Sequence, residues 1–150
     1  MLYVLRELPG ARQVAKVPDP QLGNVNYTHH LTLPGVGPVF LTLGALESSS
    51  TPNLVRVWVS SPHATPQQQR ALVAVVKHVL NRCHGPSTRQ QSRALQRVAQ
   101  QNWWLDLGQQ EQQVGSLKIN WSGREGLNVG GYEVSGIYVE WPKNQGLCTW

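Results

Sequence analysis

Charge is scarce in this sequence. Asp, Glu, Lys and Arg make up 14% of 150 residues, against a usual share of about 25%. Chains that stay unfolded in water are charge-rich and apolar-poor, so 40% apolar residues point to a globular fold instead. Acidic residues number only eight, and Glu133 and Glu140 fall on opposite sides of any one strand. That excludes the obvious carboxylate pair for acid–base hydrolysis. Cysteine occurs twice, as Cys83 and Cys148, too few for a disulfide framework and without the Cys/His spacing of a zinc site. No apolar run approaches the roughly 18 residues of a membrane span. Met1 to Glu7 lack the basic and long apolar regions of a secretion signal. Gly-x-Ser-x-Gly, P-loop and dinucleotide fingerprints are missing as well. The expectation is a single α+β domain over 1–150, cytoplasmic, with no membrane contact, no metal and no cofactor.

What charge there is leans one way. Thirteen Lys and Arg face eight Asp and Glu, giving +5 and a pI near 9.6. Nine of the cations are arginine, whose planar fork suits phosphate or carboxylate. A basic balance favours polyanions or acidic protein surfaces.

Residues 2–8, 25–33, 39–46, 54–60, 114–121 and 131–141 read as strands, with 25–46 a hairpin through Pro34–Pro38. Prolines and glycines break up 9–24, which reads as loop or short edge structure. Thr65-Pro66-Gln67-Gln68 starts a helix with a capping box and a proline at the first turn. Its stripe of Leu72, Val73, Val76, Val79, Leu80 and Cys83 runs to about Arg82 before Gly85-Pro86 stops it. Ser87 or Thr88 caps a second helix reaching about Trp104. The order predicts an antiparallel sheet of about five to six strands with an αα-hairpin packed on one face.

Two surfaces carry chemistry in this reading. Arg89, Arg93 and Arg97 recur at i, i+4 and i+8 on the second helix, opposite Ala94 and Val98. No Asp or Glu lies within 87–105 to offset them. Like charges at this spacing weaken a helix slightly, so the uncompensated row points to a polyanion: phosphates bind the row, and Trp104 at its end stacks a base. Six tryptophans form the second signal. Trp58 shares a strand face with Arg56, a second stacking platform, while Trp121 joins Leu117 and Ile119 in the core and Trp141 and Trp150 are candidates for exposure. The predicted function is a non-enzymatic nucleic-acid-binding module using Arg89, Arg93, Arg97, Trp104, Arg56 and Trp58. A protein-interaction or assembly module, homo-oligomeric or engaging an acidic protein partner through the same residues, is the second reading.

His30-Leu31-Thr32-Leu33 resembles the His-x-Thr-x element of the two-histidine phosphoesterases, and His63-Ala64-Thr65-Pro66 supplies a second His-x-Thr. The resemblance implies paired histidines acting as acid and base on a cyclic phosphate held by the hydroxyls. Here, however, the second copy coincides with the predicted helix cap, where Thr65 is already engaged.

Overall fold

The computed structural model describes residues 7–8, 10–19, 24–45, 49, 51–100, 112–122, 128–129, 132–143 and 147–148. In chain order the elements are β1 (Arg12–Asp19), β2 (Asn24–Leu33), β3 (Gly37–Gly44), β4 (Leu54–Val59), α1 (Pro66–Cys83), α2 (Arg89–Gln100), β5 (Gln112–Val114), β6 (Leu117–Ser122), β7 (Asn128–Val129), β8 (Tyr132–Glu133) and β9 (Ser135–Glu140). Seven strands form one sheet in the order β1-β2-β3-β4-β9-β6-β5, and β7 pairs with β8 separately. Every pairing is antiparallel. The α+β architecture is the one the sequence pattern predicts. β5, a three-residue strand folded back on β6, extends the sheet beyond the six strands expected.

Strand alternation decides which side chains meet the helices. Leu31, Leu41, Val57, Ile137 and Ile119 point inward from successive strands and join Leu72, Val76, Leu80, Leu95 and Val98 of the helices in one core. His29 belongs to this inward row, beside Leu31 and opposite Leu41, and is 0% exposed. The other face of the sheet carries Phe40, Trp58, Arg56 and Tyr138. Gly136 pairs with Trp58, and a Cβ there would sit 2.6 Å from the Trp58 Cβ and collide with the Val57 carbonyl. Only glycine lets β9 approach β4 at that point.

Both helices begin as their sequences dictate. The Thr65 hydroxyl accepts from the Gln68 N–H at 3.2 Å while Gln68 Oε1 accepts from the Thr65 N–H at 2.9 Å. Thr88 and Gln91 repeat the same reciprocal box on α2 at 3.1 and 2.9 Å. Gln91 is buried, and its Nε2 also donates to the Val114 carbonyl at 3.1 Å, tying α2 to β5. α1 ends at His84 and Gly85, whose φ of +118° a residue with a Cβ rarely adopts.

Three sequence expectations need correction. The segment 9–24 contains a full strand, β1, because Pro18 sits next to its end on the sheet edge, where a missing N–H is tolerated. The strand expected over 2–8 is not continued at Glu7 and Leu8, which lie in a turn and a bend; residues 1–6 are outside the described residues. Cys83 and Cys148 form a disulfide with their Cα atoms 4.5 Å apart, and the Leu147 N–H donates to the Cys83 carbonyl at 2.6 Å. Disulfides persist mainly in oxidising compartments, so the bond removes one ground for expecting a reducing cytoplasm.

Among the described residues no helix is long and apolar enough to cross a membrane.

Candidate functional site

α2 is strongly two-sided. Gln91, Ala94, Leu95, Val98 and Ala99 are buried against the sheet and α1, which turns Arg89, Arg93 and Arg97 outward, and all three are exposed. A helix rises about 1.5 Å per residue, so the guanidinium roots stand roughly 6 Å apart. Among the described residues no carboxylate pairs with any of the three. Glu7 is committed to Arg82 and His78 instead, and Glu140 to Lys118 at 2.9 Å.

The charge asymmetry extends past α2. Arg70 and Lys77 of α1 line a groove between the two helices, together with Gln96 and Gln100 of α2. Neither cation has an ion-pair partner among the described residues. Sequence inspection confined to the second helix missed them. The signal that finds them is the stretch from Ser48 to Leu105, which contains seven Lys and Arg and no Asp or Glu.

Two other predicted site residues, Arg56 and Trp58, are not brought to this surface. Both project from the sheet face opposite the helices. Trp58 is 5% exposed, stacked on Phe40 with ring centroids 5.6 Å apart and packed on Val134; as placed, it offers no open face to a base. Arg56 is half-buried with its guanidinium 5.4 Å from the Tyr138 ring centroid, and burial lowers its pKa from the ordinary arginine value. On this face Trp58 is packed among cross-strand neighbours that alternation along β4 alone does not reveal, while Phe40, Arg56 and Tyr138 stay half-buried. Trp104 and Trp150 lie outside the described residues. Trp141, a candidate for exposure, is 2% exposed beside the His84 ring.

The histidines of the His-x-Thr elements have other neighbours. His30 stands 5.2 Å from the Phe40 ring, and its Nδ1 accepts from Arg12 Nε at 3.4 Å. His63 lies in the exposed turn before α1, and the hydroxyl of Thr65 is the α1 cap. Among the described residues no group of His, Cys, Asp and Glu is disposed to hold a metal ion.

No protein-family model, curated protein or solved structure matches the chain.

Proposed function

We propose that the chain is a non-enzymatic nucleic-acid-binding module whose contact surface is the helical layer, with Arg89, Arg93 and Arg97 holding phosphates. The observation that carries this reading is the exposed arginine row with no carboxylate partner among the described residues. Concentrating three like charges on one helix face costs helix stability, and a phosphate backbone is the partner that turns the cost into binding energy. Along the axis of a duplex each strand carries a charge about every 3.4 Å, so the roughly 12 Å from Arg89 to Arg97 matches the axial rise of three to four nucleotides. With Trp58 buried, the reading rests on phosphate contacts rather than on stacking.

Binding to DNA and RNA oligonucleotides, followed by fluorescence anisotropy across a salt series, tests it. Affinity falls steeply with salt, and Arg93→Ala flattens the slope of log K against log salt by about one unit. Absence of any binding at low salt overturns the reading, and retention of an acidic protein in its place identifies the row as a protein-docking surface.

A further inference from the structure

The groove between α1 and α2 opens on the side of the helices away from the sheet and has a volume of about 610 Å³. Its α1 bank carries Arg70, Lys77 and Asn81; its α2 bank carries Gln96 and Gln100. Gln96 follows Arg93 by three residues and Gln100 follows Arg97 by three, a spacing that places neighbours on one helix face. The groove thus continues directly from the arginine row. No hydrogen-bond or ion-pair partner occupies the side chains of Arg70, Lys77, Asn81, Gln96 or Gln100 among the described residues, and no carboxylate is among the described residues that line the groove.

We propose that this groove seats one single strand of nucleic acid, with phosphates on Arg70 and Lys77 and base edges on the three amides. The inference rests on the nucleic-acid reading of the arginine row and specifies its substrate. A groove of about 610 Å³ has the size of a site for a small ligand, enough for a short stretch of one strand and too little to take in a duplex. Asn and Gln offer a donor and an acceptor on one planar group, the pattern that pairs with base edges. Those edges are open to side chains when the strand is unpaired. The cations fix the strand by charge; the amides add contacts that salt does not screen in the same way.

Anisotropy titrations with an oligothymidylate and a duplex of equal length, at about 50 and about 200 mM salt, provide the test. The variants are Arg70→Ala/Lys77→Ala, Gln96→Ala/Gln100→Ala and Arg93→Ala, with circular dichroism confirming the fold of each. Losing two phosphate contacts to a single strand reduces the salt slope by about 1.4 and weakens binding about 25-fold near 0.1 M salt. Duplex affinity falls by less. The glutamine variant weakens single-strand binding with the slope unchanged. The proposal is overturned if either groove variant binds the oligothymidylate like the parent while Arg93→Ala is impaired, because the strand then follows the arginine row alone. Equal losses on duplex and single strand for Arg70→Ala/Lys77→Ala also overturn it. If the parent protein binds neither oligonucleotide at the lower salt, the proposed function falls together with the groove.

Discussion

His29 sits in the inward-facing row of β2 with neither ring nitrogen hydrogen-bonded. Burial lowers its pKa from the ordinary 6.5, and burial does the same to His84. The unfolded chain therefore binds more protons than the folded one below pH 6.5, and stability falls as pH drops from there toward the folded-state pKa values. His29→Leu replaces a buried polar ring with no partner by an apolar side chain of similar size, a change that is near neutral or stabilising when the imidazole is uncharged. Urea unfolding between about pH 7.5 and about pH 5 should show the parent losing stability more steeply than the variant. Parallel curves would mean that His29 titrates normally in the folded state. The same core position weakens any catalytic role for His29, since a base must reach its proton.

At the level of elements, the second capping box does two jobs. Gln91 closes the start of α2 on Thr88 and reaches the Val114 carbonyl of β5 with its amide nitrogen. Gln91→Ala removes both and leaves a buried carbonyl without its donor, a loss of about 1–3 kcal/mol on urea denaturation. Thr88→Ala leaves the β5 contact in place and costs about 1 kcal/mol. Equal losses for the two would show that the β5 contact contributes nothing. The first box was legible from Thr65, Pro66 and Gln68 because capping is local chemistry. So was the αα-hairpin, from apolar spacing broken at Gly85-Pro86, and so was the outward row of Arg89, Arg93 and Arg97. The burial of Trp58 was not legible: it depends on Phe40, Gly136 and Val134 arriving from other segments. β1 was hidden by Pro18, whose meaning changes once the strand is known to lie at an edge. Arg70 and Lys77 belong to a stretch of sequence without carboxylates, but that they line one groove with Gln96 and Gln100 is visible only with α1 and α2 side by side.

For the molecule as a whole, the Cys83–Cys148 bond joins the end of α1 to a segment beyond the last strand of the sheet, across a sequence separation of 65. Closing a loop of that length removes enough unfolded-state entropy to stabilise the fold by about 4 kcal/mol. Cys83→Ser/Cys148→Ser should lower unfolding stability by that order, and the parent treated with reductant should behave like the variant. Thiol titration of the unreduced, denatured parent should find no free cysteine. Cys83 is buried in the core and Cys148 packs against that same core, a proximity set by the tertiary fold, which is why spacing along the chain gave no hint of the bond.

The two margins of the sheet share a property with a consequence for self-association. β1 is interrupted by a bulge between Gln13 and Ala15, and its Pro18 has no amide hydrogen to offer a neighbour; at the opposite margin, β5 presents only three residues. Neither rim gives an arriving chain a long, regular ladder to extend, so strand-by-strand growth into fibrils is disfavoured by construction.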